Sequence, residues 1–451
     1  MLRRIIADKN VVAHAVLQEL RAAKVLEQRP LTFDNLAASL QRKCGQMRGS
    51  DLGPVLRREF REVLELVVQE RLSRGEVSGT LSALSISERG EEAVKYMPTL
   101  IPQPAVAVLQ VSDVHFGPGM HVYSEKNKYT SEQYGRVANS DAVELALNVR
   151  NSLAAAWPMP VDAVALCGDL CGFESDWSSQ LDLAKGFLAE LKVAEKGRCV
   201  VVPGNHDVEW NPHVQNRLQH FKKFAMELQA AGLVVDALGD NGTQVLTFKK
   251  NGESVVVFGL NSASIETEET RGMGYIGPGP IKKVKTELTS AHATWSIGVV
   301  HHHVLPVDLE DESLIKWHEY LLEGSRSKGV DLKEVPGFSQ LADSGRLLRY
   351  AIEDGYDLLL HGHMHRLSAL TCSGERSSGG RALAYHAVGV IGCPSLSVSS
   401  RYVSIGEPNG FNLILLYDEP RRAIVVPFAR ELAEDVSRPY VPGRQRELRL
   451  A

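Results

Sequence analysis

The chain has 451 residues, with 50 Lys+Arg against 55 Asp+Glu, and so a formal net charge of −5. That length can bury a sizeable core in each of two domains. Apolar residues at 44% and charged residues at 23% are the ordinary balance of a soluble globular protein, and no apolar run reaches the roughly 18 residues a transmembrane helix needs. The opening, Met1 to Lys9, meets charge too soon to read as a secretory signal. The cysteines at 44, 167, 171, 199, 372 and 393 form no C-x-x-C pair. This usage fits a reducing compartment and a cytoplasmic location, with no disulfide framework and no membrane partner.

The first hundred residues have helical periodicity. Val12, Ala15, Val16, Leu20 and Leu26 predict a helix over 9–27. Thr32 is placed to cap a second helix through Leu40, with Asp34 in its first turn. Residues 54–73 predict a third, with Val55, Leu56, Phe60, Val63, Leu64, Val67 and Leu72 on its apolar positions. A turn at 73–76, a strand at 83–87 and a helix over 88–97 follow, before Pro98, Pro102 and Pro104 mark a linker. This order is similar to a winged-helix module, so residues 1–98 are expected to form a smaller, mostly helical N-terminal domain. Its slight positive excess fits contact with nucleic acid, with a protein partner, or with a second copy.

From residue 105 the pattern changes. Five short apolar runs, 105–112, 161–167, 199–203, 296–300 and 356–360, look like buried strands. Helix-like stretches near 134–156, 177–195, 212–231 and 336–354 alternate with them, as βα units require. Each strand ends in a polar motif: Asp113-Val114-His115, Gly168-Asp169, Gly204-Asn205-His206-Asp207, His301-His302-His303, and Gly362-His363-Met364-His365. Polar residues at strand C-terminal ends converge on one edge of a sheet. Strands near 367–373, 382–391, 411–417 and 423–428 are expected to complete a second sheet. The charged tail from Arg438 is expected to be poorly ordered.

The motifs offer carboxylate oxygens, one amide oxygen and imidazole nitrogens. Such donors suit Mn²⁺, Fe or Zn²⁺ better than Ca²⁺. They outnumber what one tetrahedral ion takes and fit two ions sharing a carboxylate. A single buried histidine is most often a core residue, and an Asp before a loop is most often a helix cap. Five motifs in this order are not explained that way. His302 alone keeps the core reading. Cys167 and Cys171 flank Asp169 and are read as structural. His121, His318 and His386 are read as surface or core residues.

In these motifs the chain resembles the calcineurin-like metallophosphoesterase family over roughly residues 105–400. The resemblance implies an α/β fold, a two-sheet βαββαβ sandwich, over 105–435. It implies one divalent ion on Asp113, His115 and His365, a second on Asn205, His301 and His363, and Asp169 as the bridge. His206 matches the family's histidine that protonates the leaving group or steadies the phosphate, with Asp207 orienting it. His301 is taken as the ligand because it is first after the apolar run. His303, on the same face by alternation, is placed to contact substrate.

The implied activity is phosphodiester hydrolysis by a metal-held hydroxide, with manganese foremost and iron or zinc as alternatives. The His301-His302-His303-x-Leu305-Pro306 run and the Gly362-His363-Met364-His365 spacing look most like the cyclic-nucleotide phosphodiesterase branch, so a nucleotide substrate is expected. The winged-helix likeness points instead to a DNA or RNA nuclease. A metal-stabilised scaffold or sensor is the non-catalytic alternative. Residues 116–132 lie beside the first motif and are expected to help shape the pocket, and the long polar insertion 303–340 reads equally as a lid or specificity loop and as a surface excursion.

Overall fold

The computed structural model describes residues 104–116, 142–172, 177–239, 242–265, 272–305, 341–376, 384–397, 408–430 and 439–450, apart from 158, 211, 212 and 215. Before 104 it describes scattered helical positions between 16 and 72 and the segments 77–80 and 83–86. The chain divides into two compact units, Met1–Gln103 with Val149–Met159, and Pro104–Asn148 with Pro160–Ala451.

In the first unit, the Thr32 hydroxyl accepts a hydrogen bond from the Asn35 amide at 3.2 Å, the capping contact that starts a helix. Val16, Leu20, Leu36, Leu40, Leu64, Val67 and Val68 are buried. Strands β1 (Val77–Thr80) and β2 (Ala83–Ile86) form an antiparallel hairpin. The sequence signals β2 but not β1. The helix expected over 88–97, and most of the winged-helix trace, lie outside the described residues.

The second unit is a sandwich of two mixed sheets. One is built on β3 (Val106–Val111), β4 (Ala163–Leu166) and β5 (Cys199–Val201), parallel to one another. The other holds β6 (Thr243–Lys250), β7 (Glu253–Leu260), β8 (Trp295–Val299), β9 (Leu358–His361), β10 (Ser368–Arg376) and β11 (Ala384–Gly392), in the spatial order β10-β11-β9-β8-β7-β6. β12 (Asn409–Tyr417) returns antiparallel to β3 and β13 (Arg422–Arg430) antiparallel to β12, giving the first sheet the order β14-β13-β12-β3-β4-β5, with β14 at Val441–Pro442 and β15 (Arg446–Arg449) also on β13. The helices of this unit are α2 (Trp177–Leu191), α3 (Gln219–Ala230), α4 (Pro278–Ala291) and α5 (Ser344–Asp354), and the chain also forms α1 (Ala142–Ala156), whose residues from Val149 on are assigned to the first unit. No described helix is long and apolar enough to cross a membrane.

Alternation along the strands decides which side chain goes where. Val106, Val108, Ala163, Ala165, Val255, Val257, Ile297 and Leu358 face inward and fill the space between the sheets. Val256, Phe258 and Leu359 face outward, beneath Ile281, Val284 and Leu288 of α4 and Leu347 and Ala351 of α5. Those helical spacings of three and four put each apolar stripe on one side. Strands buried on both faces are why the runs read as continuous apolar sequence.

Three features differ from the sequence reading. The last four long strands do not all join the second sheet: β10 and β11 do, whereas β12 and β13 complete the first. β6, β7 and α4 are additional elements. The signal for β6 and β7 is the Asn251-Gly252 dipeptide between an alternating run and a continuous apolar one, with φ of 52° and 88°, the left-handed pair that a two-residue hairpin demands. The tail is also ordered where described. In β15, exposed Arg446, Glu447 and Arg449 flank buried Leu448, and Leu450 follows. Both leucines enter the core between the sheets, so period-two burial outweighs the charge of the segment.

Leu448→Ala should therefore destabilise the fold by about 2–5 kcal/mol, the usual range for emptying a buried leucine site. Urea unfolding of the two proteins measures this, and an unchanged midpoint would mean that the strand contributes no packing.

Candidate metal centre

The parallel strands of both sheets end at one edge, and the five motifs meet there. β3 delivers Asp113 and His115, β4 Asp169, and β5 Asn205. From the other sheet, β8 delivers His301 and β9 delivers His363 and His365. All seven are buried, Asp113 at 0% and Asp169 at 1% exposure.

Three groups bring ligand atoms within 4.8 Å of one another and could hold an ion: Asp113, His115 and His365; His115, Asp169 and His206; Asp169, His301 and His363. In the first, His365 Nε2 lies 3.3 Å from Asp113 Oδ1 and 3.4 Å from His115 Nε2. In the third, His301 Nε2 lies 3.4 Å from Asp169 Oδ2, 2.9 Å from Asn205 Oδ1 and 3.1 Å from His363 Nδ1. Asp169 Oδ2 is also 3.7 Å from His115 Nε2, so this carboxylate stands between the groups.

Backbone contacts fix the donors. His301 Nδ1 lies 2.7 Å from the Cys167 carbonyl oxygen. That bond requires a proton on Nδ1, so Nε2 of the neutral ring presents a lone pair to the acceptor oxygens of Asp169 and Asn205. A proton or a metal cation has to sit among them. Asp113 Oδ2 accepts from the His363 amide at 3.0 Å and from the Ser112 hydroxyl. Asp169 Oδ1 accepts from the His206 amide at 2.8 Å. Asp113 Oδ1 is buried without a hydrogen bond although it faces His365 Nε2 at 3.3 Å, the condition expected of an atom whose partner is an ion.

Electrostatics point the same way. Burial alone would raise the Asp113 carboxyl, but His365, His115 and His301 hold it well below its usual range. Burial likewise opposes the charged form of Asp169, and His301 and His206 overcome it. His301 is pushed up to about 10: burial lowers it, and Asp169 and Asp113 override that effect. A buried pair of carboxylates thus demands positive charge at this edge.

The backbone is held in an unusual state. Of the eight described non-glycine residues with positive φ, five are site residues: Asp113 (53°), His115 (52°), Asp169 (52°), His363 (76°) and His365 (54°). Such left-handed positions store strain and gather at functional sites. Two glycines allow the loops to close. A Cβ at Gly204 would strike Asp169 Oδ1, and one at Gly362 would strike Ser112 Oγ.

The remaining predicted residues are placed as follows. His206 is half-buried, its ring edge-on to His115 at 5.0 Å between centroids. Burial, with neighbouring imidazoles, lowers it to about 4 against the pull of Asp169. Asp207 does not orient it. The Asp207 carboxylate accepts from the amides of Leu170, Cys171 and Gly204 instead, because the short 3₁₀ turn at Asn205–Asp207 directs it back into the β4 loop. His303 is buried against His361, with ring centroids 4.4 Å apart, and its Nε2 has no hydrogen-bond partner. His302 packs on His363 at 4.7 Å and meets the Ser262 hydroxyl through Nδ1 at 2.9 Å. His386 Nε2 meets the Tyr356 carbonyl oxygen. Cys167, Cys171 and Cys393 are buried free thiols, pushed upward by burial. The segments 117–141 and 306–340, with His121 and His318, lie outside the described residues.

Sequence reasoning missed the supporting residues. Ser112 sits beside Asp113 and was visible there. Ser262, which accepts from the amides of His301 and His302, is some forty residues distant and carries no local signal.

Residues 106–367 match the family described as calcineurin-like phosphoesterase. Among solved structures, the chain is similar to a single-site variant of Vps29 from Entamoeba histolytica. The identity is 12%, the TM-score is 0.26, and the match covers 76% of this chain and 99% of that one. Wild-type Vps29 complexed with zinc from the same organism aligns at 12% identity and a TM-score of 0.24, over 72% and 92%. Vps29 of Chaetomium thermophilum aligns at 8% and 0.25, over 77% and 97%. No curated protein matches.

Gly204→Ala should lower the thermal midpoint and weaken Mn²⁺ binding together, since Asp169 has to move. Gly279→Ala, where an added Cβ meets nothing, serves as the control in calorimetry and metal titration. Wild-type behaviour of the Gly204 variant would show that the loop is looser than described.

Proposed function

The chain belongs to the calcineurin-like phosphoesterase family, and on that premise we propose a phosphodiesterase of nucleotides that works with two divalent cations. The observation that carries the reading is Asp169 Oδ2, within 3.7 Å of His115 Nε2 and 3.4 Å of His301 Nε2. Asp113, His115 and His365 form one subsite beside it. Asn205, His301 and His363 form the other. The buried Asp113 Oδ1, without a hydrogen bond, supports an ion in the first, and the convergence of Asn205 Oδ1 and His363 Nδ1 on His301 Nε2 supports one in the second. Hard oxygen and borderline nitrogen donors favour manganese, with iron or zinc as alternatives.

Cations held there would supply Lewis acidity towards phosphate oxygens and acidify a water in the site. The residues themselves supply position and charge. Asp169 holds both subsites together. The raised thiols of Cys167 and Cys171 are poor nucleophiles, which speaks against a covalent cysteine route. His206, held low and hence neutral near pH 7, has one ring N–H to donate. We assign it to a phosphate oxygen instead of to proton delivery, since Asp207 gives it no support. The nucleotide substrate rests on the His301-His302-His303-x-Leu305-Pro306 run and the Gly362-His363-Met364-His365 spacing. A panel of cyclic nucleotides, dinucleotides, and single- and double-stranded DNA and RNA with Mn²⁺ tests it. Preference for polynucleotides would replace this reading with a nuclease.

Active protein should contain two metals per chain and lose activity on chelation. Asp169→Asn should lower occupancy at both subsites; elemental analysis showing one site intact and fully active would remove the bridging role.

His206→Ala should keep both metals and lose about 10²–10³ in rate, the usual cost of one transition-state donor. The loss should be similar on a nitrophenyl ester and an alkyl phosphodiester. A much smaller loss on the nitrophenyl ester would restore His206 as a proton donor to the leaving oxygen.

A further inference from the structure

Gln110 stands in the inward row of β3 with Val106 and Val108, in the core between the sheets. It is fully buried. A buried amide is costly unless each of its groups is bonded, and a leucine would fill the same space.

Two of the bonds it makes cross from one sheet to the other. Gln110 Nε2 donates to the carbonyl oxygens of His361, in β9, and Ile391, in β11, each at 3.1 Å. Two hydrogens meeting two carbonyls is the full capacity of that group. Gln110 Oε1 accepts from Asn412 Nδ2 of β12 at 2.9 Å. Asn412 Nδ2 reaches the Gly392 carbonyl oxygen at 3.2 Å, so the second amide also spans both sheets.

The position of this bridge in the chain matters. Gln110 lies three residues before Asp113, and its acceptor His361 lies two before His363. The candidate centre takes Asp113, His115, Asp169 and Asn205 from one sheet and His301, His363 and His365 from the other. Apolar packing between the sheets resists separation but is non-directional. The Gln110 bonds fix how the ends of β3 and β9 face each other, just beneath the Asp113 Oδ2 to His363 amide contact.

We infer that Gln110 is a positioning residue that sets the spacing between the two halves of the metal centre. This rests on the two-cation reading given above.

The test compares wild type, Gln110→Leu and the double variant Gln110→Leu with Asn412→Leu. Mn²⁺ affinity is read by competition with a fluorescent chelator, and the thermal midpoint is read in metal-free buffer. Gln110→Leu should bind Mn²⁺ about 10–100-fold more weakly, the range for loss of groups that orient ligands, and should melt lower. The double variant removes the stranded partner amide, so its midpoint should recover while its affinity stays weak. A purely structural amide would let affinity recover with the midpoint, and that result overturns the inference. So does a Gln110→Leu affinity within about threefold of wild type, below the range expected for an orienting group. Should Gln110→Leu alone not fold, the double variant carries the comparison. Wild type without measurable Mn²⁺ binding would instead refute the metal-centre reading.

Discussion

Two carboxylates held out of water, Asp113 and Asp169, govern the architecture around them. Each negative charge in the low-dielectric interior is destabilising until something positive faces it. The surrounding histidines answer that demand, and His301 does so most strongly. The close approach of loops at Gly204 and Gly362, the serine and backbone donors to Asp113, and the capped turn around Asp207 all serve to keep these two groups in place. A neutral substitute at either position would leave most of that framework without a purpose.

The arrangement depends on two sheets that share an edge. Parallel strands bring residues far apart in sequence to one line, because each strand restarts at the same side. Asp113 and His363 are 250 positions apart yet joined by a hydrogen bond. The apolar interior behind them is continuous from β3 to β9, and close-packed interiors deform little. The precision of the site is therefore a property of the whole sandwich, more than of any one loop.

Much of this was legible in the sequence, for a physical reason. Buried parallel strands must be apolar throughout, so polar residues at their ends stand out sharply, and Asp113, Asp169, Asn205, His301, His363 and His365 all do. What was not legible depends on alternation and on contacts between distant segments. Leu448 and Leu450 lie among arginines, and only the pairing of β15 on β13 reveals which face Leu448, and with it Leu450, takes. The allotment of β12 and β13 to the first sheet is a matter of chain path, on which strand composition is silent. Asp207 looked like a partner for His206 because it is adjacent, but a 3₁₀ turn sends neighbours in different directions.

The left-handed backbone at five site positions narrows which amino acids the centre could recruit. Apart from glycine, asparagine, aspartate and histidine are the residues that enter this region most readily. They are also the residues with short, rigid oxygen and nitrogen donors. Donor chemistry and backbone geometry thus select the same alphabet. Redesign towards another ion would have to satisfy both. A β-branched residue, or a ligand with a longer reach, requires a rebuilt loop, so the site is closed to most gradual changes of metal preference.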